Sequence, residues 1–373
     1  MPSPVRAISV LRIVIAGGGT GGHLYPGIAV AREAVGDGAE VLFIGAEDGI
    51  EARVLPREGF NLKTIRAGRF MGMGTFGRLR TVALMPSGVS ASAGVMKSFR
   101  PGVVLGVGGY ASFPAVAAAK LMGLPVVIQE QNAYPGVTNR LLGKVADTVA
   151  LGFREAENFF PRGKSVFTGN PIRAELLKAD REKALTEFGL GADRATVLVF
   201  GGSAGAHRIN KGMTDAIRRM GALKDKVQFI HQTGEKDMGM VEAAYKVAGF
   251  KAKALPFIYD MAGAYACASL VVCRAGALTL AEVTALGKPA ILIPYPHAAH
   301  NHQEVNARVL ERSGAARVIP DPEASGVRLA EEVTALLGDE DALLGMAGRS
   351  LSLGRADAAR RVYDICKGLA RGH

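Results

Sequence analysis

The residues best suited to chemistry in this chain lie in three glycine-bearing turns. Gly17-Gly18-Gly19-Thr20-Gly21-Gly22 and Gly201-Gly202-Ser203-Ala204-Gly205-Ala206 each follow an apolar run and precede a helical one. In that setting the missing side chains let backbone approach a diphosphate, and a helix N-terminus offers N–H groups and the positive end of its dipole. The first turn formally satisfies GxGxxG, so a dinucleotide site with Glu47 or Asp48 on the ribose is one reading, and a turn that merely packs helix on strand is another. A second such turn argues against the dinucleotide. Arg274-Ala275-Gly276-Ala277-Leu278-Thr279-Leu280-Ala281-Glu282 supplies the third helix start, where the N–H groups of Ala277, Leu278 and Thr279 can grip oxygens. Glu282, about one turn inside, either accepts from the vicinal hydroxyls of a ribose or offsets the helix dipole. His23 and His207 occupy matching places after the first two turns, each a candidate general base or a hydrogen-bonding partner of its own loop.

Other groupings carry less. His297, His300 and His302 have loop-like spacing and no carboxylate that completes a convincing metal site, and Asp339-Glu340-Asp341, formally DxD, follows no predicted strand and reads as a solvated turn. No metal and no cofactor is expected. Cys267, Cys273 and Cys366 form neither a CxxC pair nor a metal-ligand spacing, which fits a reducing compartment. The apolar run from Ile8 to Ala16 is broken by Arg12 and ends in glycines, unlike a signal peptide. Pro101 to Ile128 is interrupted by Lys120, glycines and prolines, so no transmembrane segment is expected.

The turns must be held by strands. Apolar runs at Arg12–Ala16, Val103–Val107, Pro125–Gln129, Thr196–Phe200, Ser269–Cys273 and Pro289–Pro294 alternate with helical spacing, the pattern of an α/β fold whose parallel sheets are covered on both faces. RIVIAGGGTGGH from Arg12 and TVLVFGGSAGAH from Thr196 repeat one strand–turn–helix start. Two doubly wound, Rossmann-like domains facing across a cleft follow as the simplest arrangement, and 373 residues suit that number. The boundary is expected at Gly169-Asn170-Pro171, giving domains 1–170 and 171–355, with a last helix over about 356–373 returning to the first. In such sheets ligands bind at the carboxyl ends of the strands.

Charge adds a partner. The balance is +11, and from Gly59 to Gln129 there is no Asp or Glu, while Lys63, Arg66, Arg69, Arg78, Arg80, Lys97, Arg100 and Lys120 all fall within that stretch. Phe70, Met71, Met73, Phe76, Leu79, Val82, Leu84 and Met85 are interleaved with them. A basic and apolar stretch suits an anionic membrane surface, or else a core with solvated bases; nucleic acid is not expected, because no binding motif accompanies the charge.

At the level of motifs the chain resembles the MurG family, the peptidoglycan N-acetylglucosaminyltransferases that convert lipid I to lipid II. The resemblance covers nearly the whole chain and rests on GGTGGH (Gly18 to His23), VLGVGGYAS (Val104 to Ser112), EQN (Glu130 to Asn132), GNPIR (Gly169 to Arg173), GGSAGA (Gly201 to Ala206), FIYDMAGAY (Phe257 to Tyr265), RAGALTLAE (Arg274 to Glu282) and HQEVNA (His302 to Ala307). It implies a GT-B fold, metal-independent inversion, UDP-GlcNAc as donor, undecaprenyl-diphosphate MurNAc-pentapeptide (lipid I) as acceptor, and a peripheral place on the cytoplasmic face of the bacterial cell membrane.

Carried onto this chain, the resemblance sets uracil on the Ile258 backbone with Arg173 nearby, and the ribose on Glu282. Ser203 and Ala277 to Thr279 then lie near the diphosphate. Asn132, Gln303 and the backbone of Ala277 and Leu278 meet the sugar, with Thr20, Gly21 and Gly22 closing the site. Gly108, Gly109, Tyr110 and Glu130 are the acceptor candidates, and His23 the candidate base. Gln129 stands where the family often has His, and Met71 and Met73 where it often has Lys or Arg. A UDP-GlcNAc 2-epimerase of the same architecture is the competing enzyme, and a membrane-surface or nucleic-acid-binding module with degenerate glycine turns the competing non-enzyme.

Overall fold

The computed structural model describes residues 10–47, 49–65, 75–202 and 204–372, with only the backbone described from 75 to 84. Asp48, Arg66, Arg69, Phe70, Met71, Met73 and Ser203 lie outside the described residues, as do the side chains of Phe76, Arg78, Leu79, Arg80, Val82 and Leu84. The chain divides into two units, Met1–Ile172 with Asp357–His373, and Arg173–Ala356.

In the first unit, seven parallel strands are β1 Arg12–Ala16, β2 Glu40–Ala46, β3 Asn61–Ile65, β4 Val103–Gly106, β5 Val126–Glu130, β6 Thr148–Leu151 and β7 Ser165–Phe167. Their order is β3-β2-β1-β4-β5-β6-β7. The second unit has β8 Ala195–Phe200, β9 Val227–Gln232, β10 Lys251–Leu255, β11 Leu270–Cys273, β12 Ala290–Leu292 and β13 Ala316–Val318, in the order β10-β9-β8-β11-β12-β13. Each sheet therefore reverses direction beside its own first strand, between β1 and β4 and between β8 and β11. Both are doubly wound, as the repeated motif implies.

Central strands are apolar throughout because helices cover both faces: Ile13, Val14, Ile15 and Ala16 are all fully buried. The edges are different. β10 alternates Lys251 and Lys253 with alanine and keeps an exposed pattern, which discourages further strand pairing. In the second unit Phe229 packs against Tyr245 and Phe250, with ring centroids 4.9 and 5.4 Å away.

The helix Ala358–Arg371 belongs to the first unit and buries Val362, Tyr363 and Cys366 in the same core as Ile13, Ile28 and Phe43. It is fastened at Asp37, which caps the end of the helix Gly21–Gly36 and accepts from Tyr363 Oη at 2.7 Å and from Lys367 Nζ. The Lys367 ammonium and the Tyr363 hydroxyl hold the Asp37 carboxyl below its ordinary range.

Candidate functional site

At the reversal of the first sheet, the loops after β1 and β4 pack backbone to backbone. Gly109 has φ +80°, and a Cβ there would meet the Gly18 carbonyl oxygen at 2.2 Å. Only glycine permits that approach. The N–H groups of the first turn are largely used internally: Gly17 donates to Ile44 O at 3.1 Å, Gly18 to Gly108 O at 3.3 Å, and Gly19 to Glu51 Oε2 at 2.8 Å. Glu51 is fully buried, and its second oxygen accepts from Ala46 N at 2.8 Å. The N–H groups of Gly17, Gly18 and Gly19 are thus occupied within the protein, ahead of the start of the helix Gly21–Gly36. Thr20 and Gly22 are exposed there, and the first turn of that helix carries no acid.

Beside this loop stands His23, whose Nδ1 lies 3.0 Å from Gln131 Oε1. Gln131 is 2% exposed and donates from Nε2 to Val107 O at 2.8 Å. Gln129 is fully buried and donates from Nε2 to Asn170 Oδ1 at 2.9 Å. Its side chain is therefore part of an internal amide network.

Glu130, expected at the acceptor, ends β5 with its carboxylate turned into its own loop. The residue is 1% exposed and its carboxylate accepts from Asn132 N at 2.8 Å, Asn132 Nδ2 at 3.2 Å, Gly136 N at 3.3 Å and Asn139 Nδ2 at 2.9 Å. Burial raises its pKa against those hydrogen bonds. Two of these hydrogen bonds orient Asn132, another of the expected site residues. Gly108 and Gly109 form the loop after β4, and the Tyr110 ring lies over Gly19, where a Cβ would meet it at 2.7 Å.

The second sheet's reversal is built differently. Its glycine turn leans on the loop after β9: a Cβ at Gly205 would meet Thr233 O at 2.0 Å. On the other side, a Cβ at Gly202, whose φ is +111°, would meet no described atom within 4 Å. Beneath the turn lies Gln232, 4% exposed, which donates to Gly202 O at 2.7 Å and accepts from Ile258 N at 2.8 Å. The Ile258 N–H is therefore already satisfied, so a base reading this backbone would use the Ile258 carbonyl.

Next to this, the helix Ala277–Ala285 begins after Gly276 with no side-chain cap and no acid in its first turn, and Ala277, Leu278 and Thr279 form that turn. Glu282 on the same helix accepts from Tyr265 Oη at 3.0 Å, while its other oxygen is 3.9 Å from Arg173 Nη2. Burial raises the Glu282 pKa, with the Arg173 charge and the Tyr265 hydroxyl opposing. Gln303 accepts from Tyr295 N through Oε1 at 2.9 Å, which directs its amide nitrogen elsewhere. Arg274 donates to the Ile293 and Pro294 carbonyls, both at 3.1 Å, and pairs with Asp321, tying the loops after β11 and β12 together.

His207 is 70% exposed and pairs through Nδ1 with Asp237, 3.0 Å away. Asp339 accepts from Ala342 N at 2.9 Å, so the DxD run is the capped start of the helix Glu340–Leu353 rather than a turn. Four residues of these sites escaped the sequence reading of individual roles: Glu51, Gln131, Gln232 and Tyr265. Gln131 and Tyr265 lie inside quoted motifs, and Gln232 is a polar residue ending a buried strand; Glu51 left no signal.

The family model of the glycosyltransferase family 28 N-terminal domain matches residues 13–151, and that of the family 28 C-terminal domain matches residues 196–362. A UDP-N-acetylglucosamine–N-acetylmuramyl-(pentapeptide) pyrophosphoryl-undecaprenol N-acetylglucosamine transferase of Thermodesulfovibrio yellowstonii is 44% identical over 363 residues, covering 97% of this chain and 99% of that one. The enzyme of the same name from Geobacter sulfurreducens is 48% identical over 357 residues, covering 95% and 97%. Among solved structures, Acinetobacter baumannii MurG superposes with a TM-score of 0.78 at 30% identity over 96% of this chain and 99% of that one. The UDP-GlcNAc 2-epimerase of Neisseria meningitidis bound to UDP-GlcNAc reaches 0.68 at 13% identity over 96% and 100%, a likeness of fold alone.

Proposed function

Because this chain belongs to the MurG family of glycosyltransferase family 28, we infer that it moves GlcNAc from UDP-GlcNAc to the C4 hydroxyl of MurNAc in lipid I, forming the β-1,4 bond of lipid II. It is an N-acetylglucosaminyltransferase. The observation that carries this reading is identity of 44% to 48% with the transferases over nearly the full length of both chains.

The second unit takes the donor. Uracil pairs with the Ile258 carbonyl near Arg173, and the ribose hydroxyls donate to Glu282, which Tyr265 holds in place. The diphosphate lies against the helix start at Ala277 to Thr279 and against Ser203, with the dipole and N–H groups there stabilising the charge that grows on departing UDP. Asn132 and Gln303, the backbone of Ala277 and Leu278, and Thr20, Gly21 and Gly22 serve the transferred sugar.

The first unit takes the acceptor, with Gly108, Gly109 and Tyr110 beside its diphosphate. The C4 oxygen attacks the anomeric carbon from the face opposite UDP, its proton passes to His23, and the configuration inverts. Among the described residues no helix is long and apolar enough to cross a membrane. The enzyme works as a peripheral protein on the cytoplasmic face, with bases of the acid-free stretch Gly59–Gln129 serving anionic lipid.

Incubation with UDP-GlcNAc, with and without a lipid I analogue, tests this reading. A disaccharide-lipid product and UDP that appear only with acceptor are expected. ManNAc released from donor alone would instead make the chain an epimerase.

A further inference from the structure

We propose that Gln131 sets the tautomer of His23, so that the neutral imidazole carries its proton on Nδ1 and its lone pair on Nε2. This deepens the reading of His23 as general base and rests on it for its catalytic consequence. The tautomer itself rests on the hydrogen-bond network alone.

Which end of a glutamine faces a histidine is decided by the amide's other partners. Gln131 Nε2 faces only acceptors: Val107 O at 2.8 Å, Gln129 O at 3.3 Å and the Gln129 side-chain oxygen Oε1. The Gln129 amide is oriented in turn, because its Nε2 donates to Asn170 Oδ1 at 2.9 Å while Asn170 Nδ2 donates back to Gln131 O at 2.9 Å. Three buried amides thus orient one another. Turning Gln131 over would aim its oxygen at the Val107 and Gln129 oxygens, acceptor against acceptor, and leave those buried oxygens without this donor, which such a network disfavours.

The end facing His23 is therefore oxygen, which only accepts, and at 3.0 Å the His23 Nδ1 must donate to it. Gly108 makes the contact possible, since a Cβ there would lie 2.9 Å from Nδ1. Because the partner is a neutral amide, it orients the ring without adding the charge by which a carboxylate would favour the imidazolium. Gln129 takes part directly, which gives the residue standing in place of the family's His a defined task.

The test is long-range proton–nitrogen NMR of the full-length enzyme labelled with 15N-histidine, at a pH where His23 is neutral, with the His23→Ala spectrum identifying its signals. A protonated Nδ1 and an unprotonated Nε2 are expected; a protonated Nε2 in the wild-type protein overturns the proposal whatever the kinetics. Gln131→Leu should lower kcat by about a hundredfold, the order that general-base catalysis supplies, with KM for UDP-GlcNAc changed less than about twofold. Gln131→Glu should restore part of that turnover and move the acid limb of the kcat/KM profile to higher pH, because a carboxylate stabilises the imidazolium. A Gln131→Leu enzyme with wild-type kcat and an unchanged ring tautomer would also sink the proposal. Full turnover in His23→Ala would remove the base reading while leaving the tautomer measurement to stand.

Discussion

The two units share a strand order and a glycine turn after the first strand, yet the turns are put to different uses. In the first unit the turn closes on the loop after β4, at the reversal itself, and a buried carboxylate, Glu51, holds it from below. In the second unit the turn leans away onto the loop after β9, and a neutral amide, Gln232, supports it. A carboxylate beneath a phosphate loop opposes an anion, whereas an amide does not. The paired histidines diverge similarly, His23 facing an amide and His207 a carboxylate. One sequence motif therefore packs on the loop across the reversal in one unit, whereas in the other it packs on the opposite side and leaves open space beside Gly202.

Gly109→Ala and Gly202→Ala probe this contrast most sharply. The first drives a Cβ into the Gly18 carbonyl at positive φ and is expected to destabilise the protein by about 3 kcal/mol or more. The second meets strain without a clash, so about 1 kcal/mol is expected together with weaker UDP binding. Thermal unfolding and UDP calorimetry measure both, and equal losses of stability would erase the difference between the turns.

Exchanging the supports comes next. Glu51→Gln turns a buried N–H2 toward a backbone N–H, at a cost of about 2 kcal/mol read as a lower melting temperature. Gln232→Glu removes the donor to Gly202 O and buries a charge, and is expected to raise the Kd for UDP by about tenfold or more. UDP affinity unchanged in Gln232→Glu would show that the neutrality of this support is immaterial.

Within the second unit, Glu282→Ala should weaken UDP binding by about tenfold to a hundredfold, the loss of hydrogen bonds to a charged group. Tyr265→Phe, which only loosens that carboxylate, should cost about 1 kcal/mol, roughly fivefold.

The smallest effect concerns pH. Burial raises the Glu282 pKa above its unfolded value, so the ionised group costs stability above its folded pKa, and this cost vanishes below its unfolded pKa. Glu282→Gln should therefore melt slightly higher than wild type near neutral pH, with the gap closing on acidification through the raised range. A gap that widens on acidification would contradict the sign. UDP affinity of the wild type should begin to fall at a higher pH than for an ordinary glutamate.

Much of this was legible in the chain itself. β1, β4, β5, β8, β11 and β12 announce themselves as apolar runs because both their faces are covered. β10 does not, since an edge strand with one lysine in two looks like surface. Glu282 could be singled out by its distance from a helix start. Glu51 could not, because its partner Gly19 is 32 residues away, and the 108 residues between His23 and Gln131 hid that pair equally well. Roles fixed by local spacing are visible in a sequence, whereas roles fixed by contacts across a sheet await the fold.

The helix that fastens to Asp37 reverses the order in which the units can be finished. During synthesis the stretch Arg173–Ala356 is translated before Val362, Tyr363 and Cys366, which fill the core of the earlier unit. The half translated first must wait, with that part of its interior uncovered, until the last turns of the chain arrive to seal it.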